Sequence, residues 1–169
     1  DGRYRNKTAP LAPYFSEYAL IKYRTEVEIR WLKQLAGNPQ IEETGTLTDS
    51  GSRFLDELIK NFNLQDAKRV KEIESTTNHD VKAVEYYVKQ TFKSELNEKG
   101  EFIHFGLTSQ DINNTAGPLA IKDAVSEVIV PSYQELLRLL TELSEKWRNI
   151  PMLAHTHGQP ASPTALGKE

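Results

Sequence analysis

Apolar residues recur at helical intervals along most of the chain. Leu20, Tyr23, Val27 and Trp31 fall three and four apart, with Leu35 extending the stripe, which predicts a helix over about residues 13–36. Pro13 suits its first turn, and Gly37-Asn38-Pro39 ends it. Residues 40–48 read as a loop. Asp49 or Ser50 can cap a second helix whose buried face is Phe54, Leu55, Leu58, Ile59 and Phe62. A third helical stretch runs over about residues 65–74. Asp80 reads as the cap of a fourth helix, with Val81, Val84, Val88 and Phe92 at helical spacing. The polar run Asn97-Glu98-Lys99-Gly100 closes it, and Phe102-Ile103-His104-Phe105 fits either strand or helix.

Residues 112–149 again favour helix. Tyr133, Leu136, Leu140, Leu143 and Trp147 repeat with a period close to a heptad, a stripe expected in a core or a subunit interface. Gly117-Pro118 and Pro131 are expected to kink or interrupt this stretch, because each Pro lacks an N–H and crowds the preceding turn. Residues 155–160 read as a polar loop, and Pro163 as the opening of another helix. No internal repeat and no alternation of strand and helix is present. The expected fold class is all-α.

Composition narrows the classes. A length of 169 residues suits one domain, or one domain and part of another. Lys and Arg number 21 against 24 Asp and Glu, which argues against bulk binding of nucleic acid or of an anionic membrane. The chain has no Cys, hence no disulfide, thiolate nucleophile or Cys-based metal site. That fits a reducing compartment, and a cytoplasmic location is expected. No apolar run approaches the roughly 20 residues that span a bilayer. The chain begins at Asp1 without Met and stops at Gly167-Lys168-Glu169, and is expected to be a fragment of a longer protein.

Three polar islands carry the candidate chemistry: residues 76–80, 108–114 and 155–159. Each lies at a predicted helix boundary, where unpaired N–H groups and the helix dipole favour carboxylates and phosphates. Two contain His, which exchanges protons near neutral pH. Arg3 adds a cation with a two-pronged reach for phosphate or carboxylate. Such a set suits an anionic substrate and acid–base chemistry. Taken singly, each island reads as a cap and turn; Thr108 and Asp111 have capping-box spacing with Asp in the place of Glu or Gln. His155 and His157 lack the four-residue helical spacing of a zinc pair. His104, within an apolar run, reads as a packed His.

Taken together, the segments resemble the N-terminal part of the adenylosuccinate lyase family, within the fumarase/aspartase superfamily, and most closely its bacterial branch. The carrying segments are Asp1-Gly2-Arg3-Tyr4, Phe15-Ser16-Glu17-Tyr18, the run from Glu74 through Thr76-Thr77-Asn78-His79-Asp80 to Tyr86, the run from Glu101 through Thr108-Ser109 to Asn114, and Thr156-His157-Gly158-Gln159-Pro160-Ala161. They stand in the family's order over nearly the whole chain. The resemblance implies a helical N-terminal domain over residues 1–107 and the beginning of a central helical bundle over residues 108–169. It implies elimination of fumarate from adenylosuccinate, giving AMP, and from the succinylated carboxamide ribotide SAICAR, giving AICAR. It implies no metal and no organic cofactor, and a homotetramer with shared active sites.

Carried onto this sequence, the resemblance makes His157 the general acid and places Gln159 beside the substrate. Arg3 would grip phosphate and Tyr4 would seat the nucleotide. Asn78, His79 and Asp80 would form a substrate-binding turn, and Thr108 and Ser109 would bind the succinyl carboxylates. Lys82 fits a solvated helix-face charge better than a site residue. The family's general base is a Ser on a Gly/Ser-rich loop that nothing in this sequence matches, so the isolated chain is expected to be inactive. Two alternatives stand beside this reading: another fumarate-releasing lyase of the superfamily, and a non-catalytic helical module that binds partners through the Tyr133–Trp147 stripe.

Overall fold

The computed structural model describes residues 2–92 and 96–169. Asp1 of the opening segment lies outside them. The chain divides into two compact units, residues 1–124 and 125–169.

In the first unit, α1 (Arg5–Thr8) and α2 (Ala12–Phe15) lead into α3 (Glu17–Ala36); α4 (Asp49–Lys60), α5 (Leu64–Thr77), α6 (Asp80–Thr91) and α7 (Ser109–Ala124) follow. The expected single helix over 13–36 is broken at Ser16. Its extended backbone ends α2, and its hydroxyl accepts from the Ala19 N–H to cap α3.

Helix α3 is the axis of the unit. It packs against α2, α4, α5, α6 and α7, so more than one face is buried. Ile21, Ile29 and Leu32 enter one core with Leu55, Phe62, Val84 and Val88. Ala19, Tyr23 and Val27 enter a second with Val81, Ile112, Ala116 and Ala120. The expected single stripe is therefore too narrow. Leu20 is exposed, Trp31 only half-buried, and Ile21, Thr25, Ile29 and Leu32 are fully covered. A helix surrounded by neighbours need not be amphipathic.

The caps fall one residue or so from their expected places. Thr48, not Asp49 or Ser50, accepts from Gly51 N–H at the start of α4. Asn63 and Asp66 form a capping box at α5. His79, not Asp80, caps α6. Phe54, Leu58 and Ile59 pack partly buried beside Leu55 and Phe62, as the periodicity implies. Val81, Val84, Val88 and Phe92 are all buried. The 102–105 segment is neither strand nor α-helix. A 3-10 turn over Asn97–Phe102 precedes His104, which holds a left-handed φ of 62°.

Pro118 does not interrupt α7, which runs through it. The carbonyl it leaves unpaired belongs to Asn114, and both residues are exposed, so water can serve that oxygen.

The second unit opens with a π-helical turn, Val125–Ile129, followed by α8 (Val130–Trp147) with Pro131 in its first turn. There the Pro costs no hydrogen bond, and the irregularity falls in the wide turn before it. No residue of α8 is buried, and Tyr133, Leu136, Leu140 and Leu143 are exposed. The heptad stripe is not core within the second unit.

Two strands follow, β1 (Pro151–Thr156) and β2 (Gln159–Ala165), paired antiparallel. The expected polar loop and the helix opened by Pro163 are corrected to a β-hairpin, with Pro163 inside β2 opposite Leu153. Both strands of a two-stranded sheet are edges, where a Pro without an N–H is tolerated. Gly167 seats the end of the hairpin on α8. Its N–H donates to the Trp147 carbonyl, and the Ser144 hydroxyl donates to its own carbonyl. A Cβ there would lie 2.2 Å from the Ser144 carbonyl oxygen. Apart from this hairpin the described residues form helices and turns, and the fold class is all-α.

Candidate functional site

The 76–80 island is the corner between α5 and α6. Asn78 takes a left-handed φ of 51° and ends α5, its N–H donating to the Glu74 carbonyl. Asn tolerates that conformation better than most residues with a Cβ. A cleft of about 410 Å³ beside it is lined by Lys71, Glu74, Ser75 and Asn78. His79 Nδ1 accepts the Lys82 N–H at 3.2 Å. An acceptor nitrogen carries no proton, so in the neutral ring the proton sits on Nε2. His79 thus presents a donor from a half-exposed ring.

Both Asp80 oxygens are engaged. Oδ1 accepts from the Val81 N–H at 2.8 Å, and Oδ2 pairs with Arg24 Nη1 at 2.8 Å. Partial burial works to raise the Asp80 carboxyl, but the Val81 N–H and the Arg24 charge outweigh it and hold the group below its ordinary value. At the start of α6 the Val81 and Lys82 N–H groups are taken by the side chains of Asp80 and His79.

The 108–114 island opens α7. Thr108 donates both its N–H and its hydroxyl proton to Asp111 Oδ2, at 2.7 and 2.8 Å. These two bonds lower the Asp111 carboxyl below its ordinary value. This is half a capping box. The Asp reaches back, but the Thr hydroxyl gives its proton to the carboxylate instead of accepting an N–H. The half-buried Ser109 has no hydroxyl partner among the described residues. Ser109 is therefore the free hydroxyl donor of the pair.

Arg24, on α3, joins these two islands. Its Nε donates to Asn113 Oδ1 at 2.9 Å while Nη1 holds Asp80. One turn further along α3, the buried Glu28 meets His104 Nδ1 at 2.6 Å. Trp31 Nε1 donates to the Phe105 carbonyl at 2.9 Å. The segment leading to Thr108 is thus pinned to α3 twice. Sequence reading missed Arg24, Glu28 and Asn113. The available signal was a pair of opposite charges four apart, Arg24 and Glu28, inside the most apolar helix.

Arg3 and Tyr4 form a turn before α1, both exposed, with the guanidinium 5.4 Å from the Tyr4 ring centre. No described hydrogen bond or ion pair joins them to the 78–80 corner. Lys82 pairs with Glu85 at 2.7 Å and lies over the Tyr86 ring, as a helix-face charge does.

The second unit carries His157 and Gln159. His157 and Gly158 are the two central residues of the hairpin turn, with φ of 49° and 76°, and Thr156 pairs with Gln159 across it. Two positive φ values in a two-residue loop mark a type I′ turn, where Asn-Gly is the favoured pair. A His in the first place gives up some turn stability and projects an exposed imidazole from the tip. Gln159 opens β2 beside it, and His155 lies on β1. Among the described residues no group of three His, Asp or Glu side chains could hold a metal ion, and no helix is long and apolar enough to cross a membrane.

The family model described as Lyase matches residues 2–169. The chain is 51% identical to an adenylosuccinate lyase of Vibrio cholerae serotype O1, over all of this chain and 38% of that protein. It is 46% identical to an adenylosuccinate lyase of Escherichia coli K12, with the same coverage. An adenylosuccinate lyase of Dictyostelium discoideum is 47% identical over the whole chain and 37% of its own length. The chain thus spans a little over a third of these relatives. The match from residue 2 to residue 169, with all three polar islands inside it, shows that the chain belongs to the lyase family.

Proposed function

We propose that this chain is the N-terminal part of an adenylosuccinate lyase. The whole protein would eliminate fumarate from adenylosuccinate and from SAICAR, leaving AMP and AICAR. The observation that carries this reading is the identity of about half to adenylosuccinate lyases along the entire chain.

In the elimination, a base removes a proton from the carbon next to a carboxylate. Charge spreads onto that carboxylate, and an acid protonates the departing nitrogen as the C–N bond breaks. His157 is the acid, an imidazole placed at an exposed turn tip. Gln159, two residues on, contacts the substrate. His79 offers an Nε2 donor to phosphate or carboxylate, with Asn78 beside it and Asp80 anchoring the corner. Ser109 donates to a succinyl carboxylate, and Thr108 fixes the start of α7 through Asp111. Arg3 grips the phosphate and Tyr4 seats the nucleotide. The base is supplied by a segment this sequence does not contain, so the 169-residue chain alone is inactive. Residues 1–107 would form the N-terminal domain of the whole cytoplasmic protein, and residues 108–169 the start of its helical bundle.

The exposed apolar stripe of α8 supports a homotetramer built through that bundle. It equally suits a non-catalytic helical module, the second reading. Fumarate release followed by absorbance separates them. The full-length protein is expected to turn over adenylosuccinate and SAICAR, and the isolated chain neither. A full-length protein that assembles but releases no fumarate favours the module, and one that acts only on another succinyl or amino-acid substrate favours a different lyase of the superfamily.

A further inference from the structure

We infer that Arg24 is a positioning residue, whose guanidinium sets the spacing and angle between the 78–80 corner and the start of α7 so that both grip one anionic substrate. This rests on the function proposed above and adds a residue to it. Arg24 is 7% exposed in the middle of α3. Its Nη1 lies 2.8 Å from Asp80 Oδ2, and its Nε donates to Asn113 Oδ1 at 2.9 Å. Asp80 directly follows His79. Asn113 follows Ser109 by about one helical turn. Nε and Nη1 belong to one rigid plane, so the two partners are held at a fixed separation, which a flexible ammonium does not enforce.

Cohesion does not require this fork. Ala19, Tyr23 and Val27 already pack on Val81, Ile112, Ala116 and Ala120. The Tyr23 hydroxyl donates to Asp123 Oδ2 at 2.9 Å toward the far end of α7. A buried ion pair adds little net cohesion beyond what apolar packing of the same volume supplies. What the guanidinium adds is orientation, at the place where two polar islands meet.

The test uses the full-length protein with adenylosuccinate. Arg24→Lys keeps the charge and loses the fork. Asn113→Leu severs one arm and leaves the Asp80 pair, giving a second reading should Arg24→Lys not fold. Each is expected to raise KM about tenfold or more while kcat stays within about threefold and assembly is unchanged. Combined, they should do little more than the worse of the two, because they break one linkage. Unchanged KM in a folded Arg24→Lys or in Asn113→Leu overturns the inference, as does a lowered Tm with kinetics intact. Multiplying effects in the double variant overturn it too. A wild-type protein without turnover on adenylosuccinate overturns the proposed function and this inference with it; an active wild type with unaffected variants overturns this inference alone.

Discussion

Glu28 Oε1 and His104 Nδ1 lie 2.6 Å apart, with the carboxylate wholly enclosed and its second oxygen without a partner among the described residues. Burial raises the Glu28 carboxyl above its ordinary value of 4.5, and the bond to His104 only partly offsets it. A raised carboxyl is favourable to folding while protonated. Its contribution is complete below the ordinary value and is lost as pH climbs through the raised one. Glu28→Gln imitates the protonated form and still accepts from His104. It should match or exceed wild-type thermal stability at neutral pH, with the advantage growing from about pH 4.5 upward. Glu28→Ala should lower stability by about 1–3 kcal/mol, because it leaves a buried void and an unpaired imidazole nitrogen. Thermal denaturation across pH checks both. A Glu28→Gln protein that loses ground as pH rises would contradict the assignment.

Asn78 ends α5 in a left-handed conformation and is proposed to bind substrate, and two substitutions separate these roles. Asn78→Gly keeps the left-handed conformation without strain and removes the carboxamide. It should leave Tm nearly unchanged and raise KM. Asn78→Val places a β-branched residue at φ 51° and should lower stability by about 1–2 kcal/mol. Equal kinetics for Asn78→Gly and wild type would remove the side chain from the binding surface.

Thr108 and Ser109 should respond differently although they are neighbours. The Thr108 hydroxyl proton is committed to Asp111, whereas Ser109 is unpaired among the described residues. Ser109→Ala should raise KM by roughly 10- to 100-fold with no change in Tm, the loss expected for one hydrogen bond to a charged group. Thr108→Val should lower Tm as well, because it strips a donor from Asp111 at the start of α7. Identical behaviour of the two variants would refute this division of labour.

Gly167 is required by space and not by φ. A Cβ would lie 2.2 Å from the Ser144 carbonyl oxygen and 2.6 Å from the Arg148 nitrogen. Gly167→Ala should therefore push the hairpin end away from α8, at about 1–3 kcal/mol. A Tm equal to wild type would show that this packing does not contribute to stability.

Helix existence was legible in the sequence wherever apolar residues recur three and four apart, as with Phe54, Leu55 and Leu58 of α4 or Val81, Val84 and Val88 of α6. For α3 the helix itself was legible but its buried face was not, because burial on several sides takes in Arg24, Thr25 and Glu28 beside the apolar residues. The hairpin was missed because His157-Gly158 does not advertise a type I′ turn as Asn-Gly does, and because Pro163 reads as the opening residue of a helix. The polar islands were visible as residue types at helix ends. What joins them was not, since Arg24 lies 56 positions before Asp80 and 89 before Asn113, and one sequence gives no sign of a contact at that distance.

The central claim is that the imidazole of His157 gives a proton to the departing nitrogen. His157→Asn is the sharpest test, because Asn is the preferred residue at that turn position. The hairpin should be at least as stable, so any loss belongs to the chemistry. In the full-length protein, kcat for fumarate release from adenylosuccinate should fall about 10²- to 10⁴-fold with Tm and assembly unchanged. A variant that keeps kcat within about tenfold of wild type would contradict the account.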